Sequence, residues 1–254
     1  METFEAVEAF HIAFLYVLQG HADPNSFALK GGGNLRFYLD SLRYSEDIDL
    51  DTFNEEPYLF SEKIEKSFAS PNLSKLLGSL GIRIDYLNPK DRTPTKEKWM
   101  VGLTCEGIPA MVYTRIEISH RAYNLDEYVE IKRMPNKVVT PYSPLPAPTI
   151  GHYIPRGALI QKTGALEERK ETQPRDVFDL DYLFRKFPQA TDKGLVPNDI
   201  ITSAITRLFE ISYQEYRSKV ISFLDISIQA VYDSEDIWQE IQIRVADQLE
   251  EMKS

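Results

Sequence analysis

The chain is poor in the residues that tether a fold covalently or through a metal. Among its 254 residues there is one cysteine, Cys105, and only four histidines, His11, His21, His120 and His152. A single thiol closes no internal disulfide, and Cys105 has none of the ligand spacing that a zinc site needs. A reducing, cytoplasmic setting is expected. Long apolar runs are missing too. The longest near the N-terminus, FHIAFLYVL, follows glutamates rather than lysine or arginine and falls well short of the roughly 20 residues that cross a bilayer. Neither a signal peptide nor a membrane segment is expected. Basic residues are the scarcer sign, 29 against 39 acids for a net charge of −10, which argues against broad, sequence-independent binding of nucleic acid. A local basic cleft is still compatible with that balance. Acids crowd the last thirty or so residues, whereas a run of lysines and arginines from Arg115 and Arg121 through Lys132, Arg133 and Arg156 to Arg175 occupies the middle.

What is present is an ordinary globular composition, 43% hydrophobic and 27% charged, enough for one large domain or two small ones with real cores. Phe4, Val7, Phe10, Phe14, Leu15 and Leu18 recur at helical spacing over residues 3 to 19, which predicts a buried first helix ending at Gly20. SFALK then predicts a short strand running into a glycine turn, NLRFYLDSL a short helix, and DIDLDTF a strand. Helices are expected around 57 to 69 and 71 to 80, and strands at 82 to 88, 99 to 105 and 110 to 119. VVTPYSPLPAPTIGHYIP holds five of the fifteen prolines and reads as a crossing linker, neither helix nor central strand. Everything after about residue 155 is helical in pattern. The expectation is an α+β lobe over residues 1–150 with a mixed sheet, followed by a helical lobe over 151–254.

Four acids, Glu46, Asp47, Asp49 and Asp51, fall within six positions. On a strand, side chains two apart share a face with roots about 6 to 7 Å apart. That places Ile48 and Leu50 on one face and Asp47, Asp49 and Asp51 on the other, a spacing suited to oxygen ligands converging on small hard cations. A solvated strand edge is the alternative. In MVYTRIEIS the same alternation puts Tyr113, Arg115 and Glu117 on one face, so Glu117 becomes a third carboxylate if the two strands are neighbours. Otherwise it is a surface salt bridge to Arg115. Three glycines, Gly31, Gly32 and Gly33, between a strand and a helix offer backbone N–H groups at the positive end of a helix dipole, a seat for phosphate oxygens.

KGGGNL followed by RYSEDIDLD resembles the signature K-G-G-[ST]-x-L…R-x-S-x-D-I-D-L of the AbiEii/MenT-type nucleotidyltransferases. These are a branch of the DNA polymerase β-like superfamily found as bacterial toxins in type IV toxin–antitoxin pairs. QKTGALEERKETQPRDVFDLDYL resembles the family's second block, K-x-x-A-L…R…R-D-x-x-D-L. The resemblance implies a polymerase β-like lobe with the helical lobe completing the active site. It implies Asp47, Asp49 and Glu117 as ligands of Mg²⁺ or Mn²⁺. Lys30, Gly31, Gly32, Gly33 and Ser45 are implied around the nucleoside triphosphate, with Lys162 and Arg169 on its phosphates. Of Asp176 and Asp179, Asp176 is favoured to complete the site, while Asp179 continues the core stripe of Leu180 and Leu183. The alternative for RDVFDL is a helix start in which Asp179 holds Arg169 or Arg175.

The reaction so implied is metal-assisted transfer of a nucleoside monophosphate to an acceptor hydroxyl, expected on RNA, with tRNA the family's acceptor and pyrophosphate leaving. A monomeric toxin of a toxin–antitoxin or phage-defence system, with a cognate antitoxin, is the corresponding biology. One departure stands out: Gly33 occupies the place usually held by serine or threonine and brings no hydroxyl. The competing readings are a nucleotide-binding module that has lost transfer and a pure interaction protein. His120 is expected at the surface or rim.

Overall fold

Apolar spacing at the N-terminus becomes α1 (Thr3–Leu18), in which Phe10, Ile12, Phe14 and Leu15 are fully buried in the computed structural model. A helix apolar on so much of its circumference can only be a core element. The structure describes residues 1–53, 55–120 and 126–254, so Arg121 lies outside the described residues. These residues divide into two units, Met1–Tyr38 with Tyr44–Tyr153, and Leu39–Arg43 with Ile154–Ser254.

In the first unit, β1 (Phe27–Lys30), α2 (Gly31–Tyr38) and β2 (Asp47–Thr52) are followed by α3 (Pro57–Phe68) and α4 (Pro71–Gly78), each of which opens on a proline. Proline at the first helical position lacks only an N–H that the helix leaves unbonded anyway. Then come β3 (Ile82–Lys90), β4 (Lys96–Cys105), β5 (Ile108–Ser119), β6 (Val129–Arg133), α5 (Asn136–Val139) and β7 (Thr149–Tyr153). The seven strands form one mixed sheet in the order β3-β4-β5-β2-β1-β7-β6. β2 is parallel to β5 and antiparallel to β1, and β1 is parallel to β7. Alternation sends Trp99, Val101, Leu103, Val112 and Ile116 to one face, where they form a core with Phe14, Phe60, Leu73 and Leu77 from α1, α3 and α4.

Two expectations are corrected here. The proline-rich stretch is not all linker: prolines stop at Pro148 and resume at Pro155, so residues 149 to 153 keep their N–H groups and pair as β7, an interior strand. Gly151 makes this possible, because a Cβ there would lie 2.4 Å from the Phe27 carbonyl oxygen. The glycine run is also not a turn before a helix. α2 begins at Gly31, which takes the only left-handed conformation of the first turn (φ 64°), and the three glycines are that turn. β6 was not foreseen, since VEIKR is mostly polar and exposed.

The second unit is helical as expected: α6 (Pro155–Glu168), α7 (Pro174–Lys186), α8 (Asn198–Leu208), α9 (Tyr213–Lys219), α10 (Ile226–Tyr232) and α11 (Glu235–Glu251). Tyr216 stacks on Trp238 at 4.4 Å, and the Trp238 indole N–H donates to the Ile211 carbonyl at 3.1 Å. The short segment Leu39–Arg43 belongs to this unit, where the Tyr182 hydroxyl donates to the Leu39 carbonyl and Arg43 reaches Asp179. Among the described residues no helix is long and apolar enough to cross a membrane.

Candidate active site

The acids of β2 emerge on one face, as the strand period requires, and their neighbours are set by register. Asp47 pairs with Arg115 across β5, and Asp49 pairs with Glu117 on that side and with Lys30 of β1 on the other. One row across the sheet therefore reads Lys98, Glu117, Asp49, Lys30, two neighbouring acids with a lysine on either side. Arg115 grips Asp47 with two nitrogens, Nε lying 3.0 Å from Oδ1, and this hydrogen bonding pushes the guanidinium pKa further up. Glu117 is held by Lys98 at 2.9 Å and lies 3.7 Å from Arg115. The alternative weighed for Glu117 thus exists, but Arg115 is committed chiefly to Asp47.

Asp49 is where the glycines and the acids meet. A Cβ built on Gly31 would lie 2.5 Å from Asp49 Oδ2, so the carboxylate rests against the bare Cα at the start of α2. The first-turn N–H groups of a helix have no partner inside it, and here they belong to Gly31, Gly32 and Gly33. Positive helix end and carboxylate thus share one spot. The Ser45 hydroxyl donates to the Asp47 carbonyl at 2.9 Å and fixes the entry to β2.

The donor chemistry of Asp47 and Asp49 suits a hard cation. Among the described residues no group of three or more His, Cys, Asp or Glu is close enough to hold a metal, so the structure supplies two same-face carboxylates rather than an assembled three-carboxylate cage. Sequence reasoning placed Asp51 among the β2 acids but did not foresee its partners. It is buried, ion-paired with Lys30 and hydrogen-bonded by the Tyr153 hydroxyl at 2.8 Å, and Lys30 Nζ also lies 3.0 Å from Ser119 Oγ. The signal was available in part, because Asp51 shares the face of Asp47 and Asp49. Tyr153 lay in the supposed linker. His120 is corrected as well: its side chain is buried, with Nδ1 2.9 Å from Thr52 Oγ1 and Nε2 3.8 Å from Glu97.

The second conserved-looking block builds a buried ion network within the helical unit. Lys162 Nζ, on α6, lies 2.8 Å from Asp176 Oδ1 and 2.6 Å from Asp179 Oδ2, both on α7 and both fully buried. Asp179 also receives Arg43, with Nη2 at 3.0 Å and Nε at 3.3 Å. Burial alone would raise the Asp179 carboxyl pKa, but Arg43 and Lys162 outweigh it and hold the group at about 2. Arg169, the residue just past the end of α6, brings Nε to 3.2 Å from Asp176 Oδ2. Lys162 and Arg169 therefore converge, and what they converge on is Asp176. Asp179 holds Arg43 and Lys162.

No curated protein matches the chain. Three solved structures share its fold along nearly its whole length. A nucleotidyltransferase candidate from Helicobacter pylori is 16% identical, with 100% of this chain and 99% of that chain covered at a TM-score of 0.64. JHP933 from the same organism is 17% identical over 99% and 97% at 0.60. The nucleotidyltransferase toxin MenT4 of Mycobacterium tuberculosis is 13% identical over 99% and 94% at 0.54. The family profile described as nucleotidyl transferase AbiEii toxin, type IV toxin–antitoxin system, matches residues 13–245. The chain belongs to the AbiEii nucleotidyltransferase toxin family.

Proposed function

We propose that this nucleotidyltransferase moves a nucleoside monophosphate from a nucleoside triphosphate to a hydroxyl of RNA, with tRNA as the acceptor class, using Mg²⁺ or Mn²⁺ bound by Asp47 and Asp49. The observation that carries the reading is the contact between the Asp49 carboxylate and Gly31 Cα. A triphosphate seated on the α2 N-terminus would meet backbone N–H donors and a metal-ligating carboxylate together. The divalent ion, when bound, supplies positive charge against the phosphate oxygens and polarises the α-phosphorus. Gly31, Gly32 and Gly33 orient the phosphates through the backbone, and Lys30, steadied by Asp51, adds a cation in the same row. Arg115 balances the charge of Asp47. Glu117 is proposed as a further carboxylate of the site, and Ser45 as the residue that sets the approach of Asp47. Lys162 and Arg169 are proposed to serve the leaving phosphates. Asp176 is proposed to complete the site by holding Lys162 and Arg169 toward those phosphates, with Asp179 also fixing Lys162.

The proposal extends to biology: a monomeric cytoplasmic toxin paired with an antitoxin, with a role in phage defence. The test is incubation of the purified protein with each α-labelled nucleoside triphosphate, Mg²⁺ and total RNA. Label should enter RNA from at least one nucleotide. Binding without transfer would instead make the chain a degenerate nucleotide-binding module, and neither binding nor transfer would leave an interaction protein.

A further inference from the structure

We infer that the outer face of β3, β4 and β5 is a stacking platform for a single-stranded stretch of the acceptor nucleic acid; the inference rests on reading RNA as the acceptor. Strand alternation divides these residues cleanly. Trp99, Val101, Leu103, Val112, Thr114 and Ile116 face the core, on the side where α1 and α4 pack. The opposite face is organised in rows by register: Tyr86, Gly102 and Tyr113 in one, Asn88, Met100 and Arg115 in the next, Lys90, Lys98 and Glu117 in the third.

The first row is aromatic and open. Tyr113 is 59% exposed and Tyr86 39%, their ring centroids 6.2 Å apart at 76°. The Asn88 side-chain amide donates to the Tyr86 hydroxyl at 2.9 Å and sets the ring's orientation. Between the two rings lies Gly102, where a Cβ would sit 2.9 Å from Tyr86 Cβ and 2.6 Å from Met111 Sδ. With no Cβ at Gly102 the Met111 side chain settles beside Tyr86, and the two tyrosine rings meet edge to face with their outer faces open to a flat base. Large exposed aromatics grouped on one face mark a binding surface. Every nucleobase offers a π-face, and aromatic residues on an open sheet are a general way to hold unpaired bases.

Charge selects the same ligand. On this outer face Arg83, Lys98 and Arg115 are ion-paired with Asp85, Glu117 and Asp47, and Lys90 and Lys96 bring the cations to five against those three acids, within a chain of net charge −10. Lysine is depleted from the centres of protein–protein interfaces but follows a phosphate backbone well. The face is also continuous with the candidate active site, because Arg115 in its second row pairs in register with Asp47. A strand whose terminal hydroxyl approaches Asp47 and Asp49 therefore has its preceding bases over Tyr113 and Tyr86. Paired bases keep their faces inside the duplex, so a duplex gains nothing here.

The test uses the full chain, with a fluorescent single-stranded RNA and the same RNA annealed to its complement. Tyr113→Ala and Tyr86→Ala should each weaken single-strand binding about tenfold or more, as loss of one stacked base does. Tyr113→Phe, which keeps the ring, should bind within about twofold of wild type. In transfer assays the alanine changes should raise KM for RNA by the same factor and leave KM for the nucleotide unchanged. Alanine variants that bind single-stranded RNA as wild type does, or a wild type that prefers the duplex, overturn the inference. The two failures are separable. Unchanged RNA KM in alanine variants of an enzyme that transfers normally defeats the platform alone, whereas RNA held by the tyrosines with no transfer defeats the proposed function alone.

Discussion

Gly31 and Gly33 stand two residues apart in the same helical turn and answer to different constraints. Gly31 combines a left-handed φ of 64° with the Asp49 carboxylate at 2.5 Å from any added Cβ. Gly31→Ala should therefore cost about 1–2 kcal/mol of stability and, by displacing Asp49, lower kcat for transfer by at least about tenfold. Chemical unfolding and steady-state kinetics on one preparation check both, and wild-type kcat in the alanine variant would remove Asp49 from the reaction. At Gly33 a Cβ would meet the Leu29 side chain at 3.4 Å and the Asp47 carbonyl at 3.8 Å, ordinary contact. Gly33→Ser should fold as wild type and lower KM for the nucleotide by supplying the hydroxyl that the family signature carries there. A KM that is unchanged or higher shows that position 33 does not face the phosphates. The same-face placement of Asp47 and Asp49 could be read from the sequence because a strand repeats every two residues. The grip of Arg115 on Asp47 could not, because it depends on parallel pairing between residues 68 apart.

Elements with a strong apolar period were legible, and those without one were not. α1, α3 and α4 were each anticipated, and so were β2, β4 and β5, all with buried stripes. β6 and β7 were missed because VEIKR is short and polar and TIGHY is flanked by prolines, so their pairing partners rather than their own residues define them. The α6–α7 pair carries a consequence that motif matching alone does not convey. Besides its proposed role at the phosphates, Lys162 is buried between two fully buried carboxylates. Removing one partner from a buried ion pair leaves an uncompensated charge. Lys162→Ala should thus lose about 3–5 kcal/mol of stability in addition to activity, read as a lower urea midpoint. A variant that unfolds at the wild-type midpoint would mean that Asp176 and Asp179 find their counter-charges elsewhere.

For the whole molecule, two sequence blocks more than a hundred residues apart, around Gly31–Asp49 and around Lys162–Asp179, pointed to one family, and the profile match over residues 13–245 bears that out. The membership of Leu39–Arg43 in the helical unit was invisible, since nothing local in LDSLR announces Asp179 or Tyr182 as partners. The molecule's net charge of −10 makes general attraction to polyanions weak, so binding of a triphosphate has to come from particular groups. The account's central claim is that the β2 acids, set against the glycine turn of α2, are those groups together with a divalent ion. Calorimetric titration with a non-hydrolysable nucleoside triphosphate, with and without Mn²⁺, on wild type and on Asp49→Asn of verified fold, tests it most directly. The account predicts Mn²⁺-dependent nucleotide binding in wild type that weakens at least about tenfold in Asp49→Asn, a loss of about 1.4 kcal/mol. Equal affinity in the two proteins, or wild-type binding indifferent to Mn²⁺, would contradict it.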